Sequence, residues 1–206
     1  MKKLLLILAI TARITASEAC TPKNILVIGQ SNAVYLNDVD LSAAWGSVEC
    51  PAKIYKSVRG GTGITEFMPS WSTAALYGKT SKTIENDGVK LDAIVFWQGE
   101  NDTKTAVTAR DWAGLATETI QSYRAEYGAS KDIPVFIFQL NDKHGTEKTE
   151  PVYKYWNFIR NRQSSMARKN VTIIDTSIYK FRPDLVHLID GEYENVAADL
   201  AKVINQ

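Results

Sequence analysis

Five short apolar runs punctuate the chain: Asn24–Ile28, Lys53–Val58, Asp92–Trp97, Ile133–Gln139 and Val171–Asp175. Within several of them the residues are almost continuously apolar, the pattern of strands covered on both faces. The stretches between them carry helical spacing. Residues Trp112–Tyr127 place Trp112, Leu115, Ala116, Thr119/Ile120 and Tyr123 along one stripe, and Val152–Ala167 and Tyr193–Ile204 behave likewise. Alternation of strand and helix predicts an α/β domain built on a doubly wound parallel sheet of about five strands, with helices on both faces as a three-layer arrangement. Residues Gly60–Val89 are less regular; their glycines and the Pro69-Ser70-Trp71 turn predict a long loop with one short helix.

Length and composition fit that picture. A chain of 206 residues, 45% apolar and 23% charged, suits one domain with a single continuous core. The formal net charge of +1 gives no basic field for nucleic acid or an anionic membrane surface. The first residues read as a leader rather than as part of the fold. Lys2 and Lys3 precede the apolar stretch Leu4–Ile10, and Ser17 and Ala19 offer a cleavage site. That stretch is shorter than the roughly 20 residues a spanning helix needs, so no stable membrane insertion is expected. The expectation is a secretory signal peptide over residues 1–19, one domain over 20–206, and a secreted or periplasmic location. Cys20 after the cut also raises a lipoprotein reading, against which Glu18 stands where a lipid-attachment box wants a small residue.

Export changes the meaning of the two cysteines. Cys20 precedes the first apolar run and Cys50 the second, so adjacent parallel strands would bring both to the same end of the sheet. A Cys20–Cys50 disulfide is expected, closing a loop of about 30 residues and contributing on the order of 3 kcal/mol.

Ligands of open α/β sheets bind at the carboxyl ends of the strands. The loops there are rich in candidate chemistry. Gly29-Gln30-Ser31-Asn32 follows the first run and Arg59-Gly60-Gly61-Thr62-Gly63 the second. Gln98-Gly99-Glu100-Asn101-Asp102 follows the third, and Asp184-Leu185-Val186-His187 lies past the fifth. Ser31 alone is an ordinary helix cap. A serine becomes a useful nucleophile beside a base that is itself oriented by a carboxylate. His187, one of only two histidines, has Asp184 three residues upstream. The backbone at Ser31, Gly60 and Gly61 and the amides of Asn101 and Gln98 are candidate donors for an oxyanion. Asp142 near His144 makes that histidine the rival base. Trp71, Trp97, Tyr153, Tyr155 and Trp156 are aromatics that could stack on a sugar, although core packing is the plainer reading of most.

Taken in order, these blocks resemble those of the SGNH hydrolases, named for their Ser, Gly, Asn and His: here Ser31, Gly61 or Gly60, Asn101 and His187. The wording Gly-Gln-Ser-Asn, Gly-Gly-Thr-Gly-Ile, Trp-Gln-Gly-Glu-Asn-Asp and Asp-Leu-Val-His-Leu is similar to the sialate O-acetylesterase and acetylxylan esterase branch, whose members remove acetyl groups from sugar hydroxyls. The resemblance implies a flavodoxin-like sheet and a serine esterase acting through an acyl-serine on an acetylated carbohydrate or another small ester. It implies no metal or cofactor. In that branch the glutamine of Trp-Gln-Gly-Glu is often assigned to the oxyanion hole, so Gln98 and Asn101 are both candidates, and Glu100 would order its loop. Gly29-x-Ser31-x-Ala33 also approaches the nucleophile elbow of α/β-hydrolases, but the short chain and the acid only three residues before the histidine speak against that fold. Lipase-like or thioesterase action on longer acyl chains, and a non-catalytic carbohydrate-binding protein, are the rival functions. Oligomeric state is left open.

Overall fold

The computed structural model describes residues 20–47, 49–69, 76–145 and 152–204. The expected leader, residues 1–19, and Trp71 lie outside the described residues. Strands β1 (Asn24–Gly29), β2 (Lys53–Val58), β3 (Ala93–Trp97), β4 (Val135–Gln139) and β5 (Val171–Asp175) form one sheet in the order β2-β1-β3-β4-β5. All four pairings are parallel.

The side-chain alternation of each strand sorts the core into two layers. Leu26, Ile28, Ile94, Phe96, Val135 and Ile137 face one side. There they meet Tyr77 and Ile84 of α3 (Leu76–Asp87), Trp112, Ile120 and Tyr123 of α4 (Ala106–Tyr127), and Ile159 of α5 (Trp156–Ser164). Ile25, Val27, Val95, Trp97, Phe136 and Phe138 face the other side. They pack on Ala33 of α1 (Ser31–Tyr35), Leu41 and Trp45 of α2 (Asp38–Trp45), and Val196 and Leu200 of α6 (Glu192–Ile204). Burial on both faces is why these strands read as apolar runs rather than as alternating patterns.

Three segments differ from the sequence expectation. The region expected as a long loop with one short helix holds the twelve-residue α3, whose buried Tyr77, Thr80, Ser81 and Ile84 include two polar residues that blur the stripe. Helix α4 begins six residues before Trp112, because the Thr105 side chain accepts from the Thr108 N–H and caps the first turn there. Helix α5 is shorter than Val152–Ala167 suggested, occupying Trp156–Ser164.

Cys20 and Cys50 are joined in a disulfide, with Cα atoms 5.9 Å apart. It ties the entry of β1 to the entry of β2, the end of the sheet opposite the candidate chemistry. Among the described residues no helix is long and apolar enough to cross a membrane.

Candidate active site

Strand register brings the polar loops together. Gly29 of β1 lies opposite Val58 of β2 on one side and opposite Trp97 of β3 on the other. The residues that leave these three strands therefore start level, at the point where the strand order reverses, which is where open α/β sheets form a crevice. Close approach is enforced at Gly29: a Cβ there would sit 1.9 Å from the Trp97 carbonyl oxygen. The Gln30 N–H donates to that same carbonyl at 3.2 Å. Ser31 follows as the first residue of α1.

Ser31 Oγ is 2.8 Å from His187 Nε2, and His187 Nδ1 is 2.7 Å from Asp184 Oδ2. The second carboxylate oxygen, Asp184 Oδ1, accepts from the backbone N–H groups of Val186 (2.9 Å) and His187 (3.0 Å). Burial acts to raise the Asp184 carboxyl, but the hydrogen bonds from the His187 ring and these two N–H groups outweigh it and hold the group below its ordinary value. The tight turn that lets a carboxylate reach a ring three residues on is made by Leu185, which has φ +53°. An L-residue rarely adopts that conformation. Here the turn is braced by the Leu185 N–H donating to the Arg182 carbonyl (2.9 Å) and by the Asn141 amide donating to the Leu185 carbonyl (2.8 Å).

The opposite wall of the crevice comes from the loops after β2 and β3. Gly61, at φ +67°, and Asn101 line a small cavity of about 120 Å³ together with Gln30, Ser31, Lys104, Tyr153, Val186 and His187. Gly60 is adjacent, a Cβ there coming to 4.0 Å from the Ser31 Cβ. Gln30 Oε1 accepts from the Asn101 N–H at 3.1 Å and fixes the β3 loop to the turn that carries Ser31. Asp102 joins the two loops, accepting from the Ile64 N–H at 3.1 Å and from Gln98 Nε2 at 2.5 Å. Burial pushes the Asp102 carboxyl up to about 6.

The two amides proposed from sequence as oxyanion donors are separated by this geometry. Gln98 is fully buried, and its Nε2 donates to the Thr62 carbonyl and Asp102 while its Oε1 accepts from Trp112 Nε1. It does not line the cavity, whereas Asn101 does. His144 is buried and stacked on Trp156, with ring centroids 4.2 Å apart, and does not line the cavity either. Burial lowers its pKa. Of the aromatics among the described residues, Trp97 belongs to the core, stacked on Phe138 at 4.5 Å, and Tyr153 alone reaches the cavity wall, with the Lys104 ammonium 5.5 Å from its ring centre. A larger cavity of about 910 Å³, lined by Val39, Ser42, Pro51 and Ile54, lies on the flank of β2, and none of the site residues lines it. No sequence signal pointed to Asn141 or Tyr193, because the Asn141 amide reaches Leu185, 44 residues on, and the Tyr193 hydroxyl donates to Asn32, 161 residues back.

Residues 49–206 match the family described as carbohydrate esterase, sialic acid-specific acetylesterase. The chain belongs to this family. The match takes in Gly61, Asn101, Asp184 and His187 and begins after Ser31, so the place of Ser31 rests on the structure. The fold is that of the SGNH hydrolases. A protein of Arabidopsis thaliana superposes with a TM-score of 0.69 at 14% identity, over 89% of this chain and 98% of the other. A carbohydrate acetylesterase of Xanthomonas citri gives 0.64 at 18% identity, covering 87% of this chain and 54% of its own. A Slackia heliotrinireducens protein assigned to the SGNH hydrolases gives 0.56 at 15% identity, over 89% and 100%. At these identities the likeness is one of fold. No curated protein sequence matches the chain.

Proposed function

We propose that this protein is an exported serine esterase that removes acetyl groups from carbohydrate hydroxyls through an acyl-serine. The observation that carries the reading is the continuous contact from Ser31 Oγ through His187 to Asp184, at 2.8 and 2.7 Å. His187 Nε2 takes the Ser31 proton as Oγ attacks the ester carbonyl, while Asp184 holds the ring with its Nδ1–H toward the carboxylate and stabilises the imidazolium. The tetrahedral oxygen is held by the backbone N–H groups of Ser31 and Gly61 and by the Asn101 amide. Gln98 is a support for the Asp102 link rather than a donor to substrate. As the intermediate collapses, the sugar oxygen leaves with the proton from His187. Water, deprotonated by the same nitrogen, then releases acetate and restores Ser31.

The size of the cleft supports short acyl groups, since a volume of about 120 Å³ suits an acetyl group. Tyr153 and Lys104 on its rim offer an apolar ring face and a cation to the sugar. Export is supported by the Lys2-Lys3 leader pattern and by the disulfide, which persists in oxidising compartments. The test is hydrolysis of 4-nitrophenyl esters of increasing chain length, followed by acetate release from acetylated sialate and xylan. Acetyl preference, with turnover and organophosphonate labelling both lost in Ser31→Ala, is the expected outcome. Preference for octanoyl esters would transfer the protein to the lipase-like reading, and an unlabelled wild-type protein to the non-catalytic one.

A further inference from the structure

Asn32, the residue after Ser31, is buried and uses every polar atom of its side chain. Its Nδ2 donates to Glu100 Oε1 and to the Val186 carbonyl, both at 2.9 Å, and its Oδ1 accepts from the Tyr193 hydroxyl at 2.8 Å. The amide has one workable orientation: turned over, its oxygen would face two acceptors. Its three partners come from three separate segments. Glu100 sits on the loop after β3, Val186 is the neighbour of His187, and Tyr193 belongs to α6.

That placement matters because the Ser31–His187 contact joins residues 156 apart in the chain. The loop that carries His187 is irregular and part-exposed, and two asparagine amides grip its successive carbonyls, Asn141 at Leu185 and Asn32 at Val186. Only the Asn32 grip also runs to the nucleophile, one peptide bond away. We propose that Asn32 is a positioning residue that locks the His187 loop onto the nucleophile turn, with Glu100 and Tyr193 clamping its amide. The inference rests on the reading of Ser31, His187 and Asp184 as a triad. An error of about 1 Å in such a contact can cost on the order of 100-fold in rate, so the clamp acts on kcat without touching substrate.

Glu100 gives the discriminating pair of variants. Glu100→Ala removes the acceptor that orients Asn32, whereas Glu100→Gln retains an oxygen in the same place. On a chromogenic acetyl ester, Asn32→Ala and Glu100→Ala should each lower kcat by about 30-fold or more with KM changed less than about threefold, and Glu100→Gln should recover kcat to within about fivefold of wild type. The low-field resonance of the His187–Asp184 proton should broaden in the alanine variants while circular dichroism stays native. Two results would overturn the proposal: kcat within about threefold of wild type in both alanine variants, or equal damage in Glu100→Gln and Glu100→Ala. Should the alanine variants fail to fold, Tyr193→Phe decides, since it deletes one hydroxyl and keeps the ring. A fall in kcat of about fivefold with a broadened resonance supports the clamp, and no change in either refutes it. The resonance arm needs no turnover, so a wild-type protein inactive on every acetyl ester would sink the esterase reading while the clamp was still measured.

Discussion

Glu100 is fully buried, and its Oε2 has no hydrogen-bond partner among the described residues. Burial pushes its carboxyl from 4.5 up to about 7; the nearby Asp102 adds to the rise, and the hydrogen bond from Asn32 opposes it. A carboxyl raised on folding lowers stability as pH increases: below about 4.5 both folded and unfolded chains hold the proton, and above about 7 the folded chain bears a buried charge that the unfolded chain exposes to water. A rise of that size corresponds to about 3 kcal/mol, most of it falling between pH 5 and 8. Glu100→Gln removes the titration. Its amide nitrogen takes the unpartnered position, at a cost of about 1–3 kcal/mol that does not vary with pH. Urea unfolding of both proteins at pH 5, 6, 7 and 8, with the disulfide intact, therefore isolates the proton. Stability of the variant relative to wild type should rise by about 2–3 kcal/mol from pH 5 to pH 8. Asp102, also raised, is present in both proteins and largely cancels. Two curves that stay parallel within about 0.5 kcal/mol across that range would show that Glu100 is not a buried acid of this kind.

Three further outcomes follow from the same geometry. Asn101→Ala should lower kcat for an acetyl ester by roughly 100-fold with KM nearly constant, the signature of a donor used in the transition state, as steady-state kinetics will show. Leu185→Val places a β-branched side chain at φ +53°; it should cost about 1–2 kcal/mol in urea unfolding and lower kcat, because the turn holding Asp184 against His187 is strained further. Breaking the Cys20–Cys50 bridge by Cys50→Ser should cost on the order of 3 kcal/mol, seen in calorimetry as a fall in Tm of roughly 6–12 °C with the acetylesterase rate at 25 °C unchanged, since the bridge lies at the opposite end of the sheet.

Much of the fold is legible in the chain alone. Strands buried on both faces must be apolar at nearly every position, so Ile25–Ile28 and Ala93–Trp97 announce a parallel sheet with helices above and below. The order of polar loops after those strands also points to one end of the sheet, and the local pair Asp184 and His187 needs only a turn to meet. Helix α3 was harder to read because buried Thr80 and Ser81 interrupt its apolar stripe. What only the tertiary structure decided depends on contacts between distant segments. Gln98 and Asn101 carry the same kind of amide three residues apart, and sequence cannot rank them. The packing of β3 against α4 turns Gln98 inward to Trp112 and leaves Asn101 on the cleft. In the sequence Asn32 is only the residue after Ser31, whereas its partners lie 68, 154 and 161 residues away. A strand's burial is written in its own residues, whereas the partner of a buried amide is set by which loops the sheet register brings level.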